Sequence, residues 1–318
     1  PNHICLLRHG VENNRLQSFI ACIADAYIDN KSIDVPTIKE MKEIIINSMD
    51  LDKFLVYQNG TLLKLFLKDP IEDTDVDTDA DIDIDKYQDT IIYKNTDKEK
   101  ITQKLFLINA IKAFDNFINY LKSDNVLIDY TYLWDIICKP NDKLFPHGLN
   151  LVILELNNDD LTENVKIICP TNHYSNEFYD INKKTLILIK NKKYYEPIYA
   201  LEDKRNHYVV TRLFSLQNRQ SLPNLKATLE VIKNALNSDC GPVASMPQVY
   251  KFKENIILGK VLYYIRKAGY ELLNQVMNYN GKVIGIIIGK DGKSGFIPCY
   301  PSSVFVDVEN PIKWIDDD

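Results

Sequence analysis

The stretch "RLQSFIACIADAY" (residues 15–27) puts a hydroxyl, Ser18, at the start of an apolar helical pattern and a thiol, Cys22, one turn further on. Either becomes a nucleophile only when a base within hydrogen-bond reach takes its proton. The five histidines are therefore the first places to look. His207 in "KRNHYVV" and His173 in "CPTNHYSN" each follow an asparagine and precede a tyrosine, and the second reads as a surface loop histidine. His147 in "LFPHGLN" falls in a turn ahead of a strand, while His3 and His9 flank the first apolar run. None has metal-ligand spacing. Cys22, on an apolar face, reads first as a small core residue. Ser18 has an ordinary reading too, as a helix N-cap accepting from backbone N–H groups, worth about 1 kcal/mol.

The elements that would position these groups follow from periodicity. Phe19, Ile20, Ile23 and Tyr27 recur at helical spacing. "VPTIKEMKEIIINSM" predicts a second helix, with Thr37 at its N-cap and Glu40 at N3 forming a capping box. "LDKFLVYQNGTLLKLFL" is either a helix or a hairpin turning at Asn59-Gly60. From Asp73 to Asp85 aspartate alternates with small or apolar residues, and seven carboxylates on one strand face would repel each other. A calcium loop would need a glycine at its turn and a glutamate at position twelve, both missing here. Residues 69–98 are accordingly expected to be a solvated acidic insert.

"ITQKLFLINAIKAFDNFINYLK" then predicts a long helix and "YTYLWDIIC" a short one. Strands are expected at "LNLVILEL", "NVKIICP" and "HYVVTRLF", and a long strand or hairpin at "KTLILIKNKKYYEPIYAL". Beyond them come two helices, "LPNLKATLEVIKNALNSDCG" and "NIILGKVLYYIRKAG", and a three-stranded meander turning at Asn280-Gly281 and Asp291-Gly292.

Composition bounds the function classes. The chain has 318 residues, is 45% apolar and carries a net charge of −6, so two globular units fit and a general nucleic-acid binder is disfavoured. No apolar run nears 20 residues, and no secretory leader pattern precedes "HICLLRHG". Six scattered cysteines without a CxxC pair suit reduced thiols in a cytosol-like compartment. No phosphate-binding loop is present; "IGKDGKSGF" reads as a hairpin turn, and "KNKKYYEPIY" as a twisted strand with a charged lip. Neither cofactor nor metal is expected. Trp314 either packs back on the second unit or marks a boundary to more protein.

Taken in order, these motifs resemble the ovarian-tumour (OTU) family of papain-like cysteine proteases, which remove ubiquitin. "SFIACI" is similar to the family's C-L-F-x-A-I, with Ser18 in the place of the cysteine and Cys22 at the small buried position. "TLILIKNKKYYEPI" resembles its final strand, with Tyr194 in the place of the histidine and "YEPI" following. "YTYLWDIIC" and the strand after it look like the family's central helix and strand. The match spans about residues 5 to 200, and "VENNRLQ" departs from the family's D-G-N lead-in. The preceding "TLILI" favours Tyr194 over His207 for the histidine place, and the alternative stays open.

The resemblance implies an α+β fold: an OTU-like papain-type domain at 1–212 with the acidic insert, then a smaller α+β domain at 213–318. With a serine and a tyrosine in the dyad positions, it implies a catalytically inactive pseudo-protease acting as an interaction or scaffolding module. The competing readings are an active deubiquitinase using Cys22 or Ser18 with His207, and a nucleic-acid-binding transcription component. The residue bias toward Asn, Ile, Lys, Asp and Tyr, with the degenerate fold, looks like a segment of a large protein of a giant DNA virus. The expected partner is then a protein, ubiquitin or viral, with no membrane, and the expected location host cytoplasm or virion.

Overall fold

The computed structural model describes residues 4–28, 34–68, 83–156, 165–170, 178–204, 207–217, 223–240, 256–277, 282–304 and 312–314. In chain order these begin β1 (Ile4–Arg8), α1 (Ser18–Tyr27), α2 (Ile38–Asn47), α3 (Leu51–Val56), α4 (Thr61–Phe66), α5 (Ile91–Asn95) and α6 (Ile101–Lys122). There follow α7 (Tyr130–Cys138), β2 (Leu149–Glu155), β3 (Lys166–Ile167), β4 (Lys184–Asn191), β5 (Tyr194–Lys204) and β6 (His207–Thr211). The chain continues with α8 (Pro223–Asp239), α9 (Leu258–Lys267), β7 (Glu271–Met277), β8 (Val283–Lys290), β9 (Lys293–Ser302) and β10 (Ile312–Trp314). The class is α+β, as the periodicity predicts.

The division into units is discontinuous. One unit is Pro1–Ser48 with Tyr120–Pro242, the other Met49–Asn119 with Val243–Asp318. The boundary expected at residue 212 does not hold, because α8 belongs to the first unit. Its stripe Leu229, Ile232 and Leu236 is buried against Val152, Ile187, Ala200 and Phe214 of the sheet. An amphipathic helix must cover its apolar stripe, and the sheet face next to it in space supplies the cover.

In the first unit the sheet order is β1-β5-β4-β2-β3, with β6 also on β5. β2 and β4 are parallel, Leu149 opposite Lys184 through Glu155 opposite Lys190. β4 and β5 form the expected hairpin, with Lys192 in the left-handed region at the turn. Val152 and Ile187 pair in register toward α8, and their neighbours Leu151 and Leu186 are buried as well. Successive side chains point to opposite faces, so this pair of strands is covered on both, and "LVIL" and "LILI" carry no polar alternation. A disulfide joins Cys169 to Cys240 at the end of α8, which corrects the expectation that all six thiols are reduced.

In the second unit α3 and α4 are separated by a kink, neither one helix nor a hairpin. Gln58, Asn59 and Gly60 all have positive φ there, and the asparagine and glycine tolerate that region best. Phe54 packs against Phe114 and Phe117, with ring centroids 5.4 and 5.5 Å away. Much of the expected acidic insert is built into this unit. Asp52 accepts from the backbone N–H of Ile91 and of Ile92 at the start of α5, and Tyr87 donates to Asp115. Ile84–Tyr87 form a short 3-10 helix, and residues 69–82 lie outside the described residues. The meander β7-β8-β9 has the expected Asp291-Gly292 turn, both residues at positive φ as a type I′ turn requires. It gains a strand the sequence reading lacked, since β10 pairs parallel to β7, Trp314 opposite Met277. The Asn280-Gly281 turn lies outside the described residues.

Candidate functional site

Ser18 is the first residue of α1 and fully buried. It is not the helix cap. Gln17 holds that position without a side-chain cap bond, and Asn14 Oδ1 instead accepts from the N–H groups of Leu16 and Gln17 at 2.9 and 3.0 Å. The Ser18 hydroxyl oxygen accepts from the backbone N–H of Tyr195 at 3.0 Å, joining the helix tip to the start of β5. The Phe19 and Tyr195 rings meet edge to face, 5.3 Å between centroids. Thus the two segments that carry the family resemblance, helix tip and strand start, are adjacent.

The loop beside the tip is fastened from below. Gln17, buried, donates through Nε2 to Ser123 O at 2.7 Å, and Ile128 N–H donates to Leu16 O at 3.1 Å. Lys42, also buried, donates to Ser123 O and pairs with Asp124 at 2.7 Å. Asp129 caps α7 through Thr131 N–H, and the Tyr195 hydroxyl donates to its Oδ2 at 3.3 Å.

The thiol and the phenol near this tip hold their protons more tightly than usual. Burial first, then the Asp25 and Glu196 carboxylates, push the Cys22 thiol well above its ordinary range. The fully buried Cys22 is thus a core thiol with no tendency to ionise. Burial, Glu196 and Cys22 likewise raise the Tyr194 phenol. Glu196 is held by a two-pronged ion pair with Arg8 across β1 and β5.

No family model, curated protein or solved structure matches this chain.

Among the histidines, His207 opens β6 opposite Lys204. That is nine residues along β5 from Tyr195, about 30 Å at the usual rise per residue. The backbone of His207 therefore lies far along β5 from the strand start that meets Ser18. His147 is exposed in the turn before β2, and His9 is exposed and stacked on Tyr199, centroids 4.9 Å apart. His3 and His173 lie outside the described residues. Among the described residues no three His, Cys, Asp or Glu side chains gather as a metal site, and no helix is long and apolar enough to cross a membrane.

One polar group escaped the sequence reading. Asp25 is buried on α1; desolvation raises its carboxyl, while His9 and then Arg212 pull it back. Its Oδ2 lies 4.0 Å from Arg212 Nε, and both atoms, with the Tyr199 hydroxyl, are buried without a hydrogen-bond partner among the described residues. The Arg212 guanidinium lies 5.5 Å from the Tyr199 ring centroid. An aspartate inside the apolar run "ACIADAY" was the available signal, since a charge on a buried helix face demands a partner.

Proposed function

We propose that the first unit is a catalytically inactive, OTU-like module that serves as an interaction or scaffolding piece of a larger protein, in keeping with the residue bias that looks viral. The observation that carries the reading is the bond from Tyr195 N–H to Ser18 Oγ. In a papain-like site the residue at this helix tip must present its Oγ or Sγ to an imidazole and then to substrate. Here that oxygen is buried and spent on strand backbone, and the Tyr194 phenol at the strand start holds its proton more tightly than usual. The active-protease alternative finds little support in Cys22, buried and protonated, or in His207, about 30 Å along the strand. Of the two locations implied, the disulfide suits the virion better than a reducing cytoplasm.

The deciding experiment incubates the purified chain with di-ubiquitin of several linkages and with a ubiquitin probe that traps thiols. The expected result is intact di-ubiquitin and no adduct at any cysteine. Cleavage abolished by Ser18→Ala or Cys22→Ala would reject the inactive reading.

A further inference from the structure

The second unit presents an exposed face that the pseudo-protease reading leaves unused. Helix α9 buries Leu258, Val261, Leu262 and Ile265 and turns the opposite stripe outward. That stripe is Lys260, Tyr263, Tyr264 and Lys267, at positions i, i+3, i+4 and i+7, hence along one side of the helix. Both tyrosines are 62% exposed, their rings edge to face with centroids 5.4 Å apart. Just past the helix, Tyr270 is exposed too, with the Lys290 ammonium 5.0 Å from its ring centroid. Exposed aromatic rings in such a row retain an unfavourable hydration that a partner could relieve.

Charge selects the kind of partner. The exposed cations on α9 and beside Tyr270 are Lys260, Arg266, Lys267 and Lys290, against the carboxylates of Glu271 and Asp291, in a chain of net −6. A basic stripe interleaved with π-faces matches a phosphate backbone carrying unpaired bases. In a duplex the bases already stack on one another, and an acidic peptide offers the rings nothing to stack on. From Lys260 to Lys267 the stripe runs about 10 Å, and its two lysines with Lys290 beside Tyr270 offer about three phosphate contacts. We propose that the Lys260–Tyr263–Tyr264–Lys267 face of α9 binds single-stranded nucleic acid, without sequence preference. This site is independent of the Ser18 region.

The test is fluorescence anisotropy of the full chain with labelled single-stranded (dT)12, its RNA counterpart and a 12-base-pair duplex, from 25 to 200 mM salt. Expected is tighter binding of the single strands, with log K falling against log salt at a slope near −2, as about three phosphate contacts give. Tyr263→Ala with Tyr264→Ala should weaken single-strand binding at least about tenfold while keeping that slope. Lys260→Ala with Lys267→Ala should instead flatten the slope by about 1.4. All four positions are exposed, so circular dichroism and the thermal midpoint should not change. Three results would overturn the proposal: no binding at 25 mM salt, equal affinity for duplex with indifference to the tyrosines, or binding of anionic phosphatidylserine vesicles but not of single strands.

Discussion

Ser18 does a structural job whose loss can be measured. Its hydroxyl is the acceptor for a buried strand N–H 177 residues away, and Ser18→Ala leaves that donor unsatisfied. An orphaned buried donor costs about 1–3 kcal/mol. Urea unfolding of Ser18→Ala is therefore expected to show a destabilisation in that range, with hydrogen exchange of the Tyr195 amide accelerated. Had the hydroxyl been a helix cap, α1 amides would lose protection instead and Tyr195 would not. Short local patterns marked the helix tip at Ser18 and the strand start at Tyr194, but not that the bond between these segments comes from the next residue, Tyr195. The sequence could not show Asp25 beside Arg212, whose contact spans 187 positions and leaves no periodic trace. Nor could it show Asn14 closing the turn ahead of α1 by accepting from Leu16 and Gln17, since two polar residues near one helix start can each accept.

At the scale of elements, turn chemistry decided what apolar spacing left ambiguous. The α3–α4 segment has enough apolar residues for a helix and an Asn-Gly for a hairpin, and three left-handed residues give neither. What holds the kink comes from elsewhere in the same unit: Ser303 N–H donates to Asn59 Oδ1, and Lys282 Nζ donates to Asn59 O at 2.5 Å. Burial first, and Lys64 second, push the Lys282 ammonium down to about 8. Its ordinary value is about 10.4, so between pH 8 and pH 10.5 the unfolded chain binds more protons than the folded one. Stability contributed by this group therefore rises with pH through that window. Wild type and Lys282→Met should diverge in urea midpoint as pH increases from 7 to 10, in favour of wild type. Parallel curves would show that the lysine titrates normally. By contrast, the capping box was fully legible: Thr37 accepts from Glu40 N–H and Glu40 Oε2 from Thr37 N–H, because both partners lie within one turn.

For the whole molecule, the two units interleave along the chain, and that organisation was hidden from a reading that runs from one end to the other. Composition changes sharply at the aspartate run, and a boundary was expected at residue 212, yet the units change at 48, 119 and 242. Chain crossings there follow the burial of helix stripes, which depends on partners distant in sequence. The disulfide gives a way to address one unit alone. Cys169 and Cys240 both belong to the first unit, and their bond closes a stretch of 71 residues containing β4, β5, β6 and α8. Restricting an unfolded loop of that length stabilises by about 4 kcal/mol in the chain-entropy treatment. Reduction, or Cys169→Ser, is expected to lower protection of amides in β2, β4 and α8 by a large part of that amount. Amides of β7, β8 and β9 should keep theirs, because the second unit has its own sheet and core. Hydrogen exchange with mass readout, with and without reductant, checks both halves at once. Equal loss in the two sheets would mean that the units unfold as one cooperative body, and unchanged protection in both would mean that the thiols are not paired.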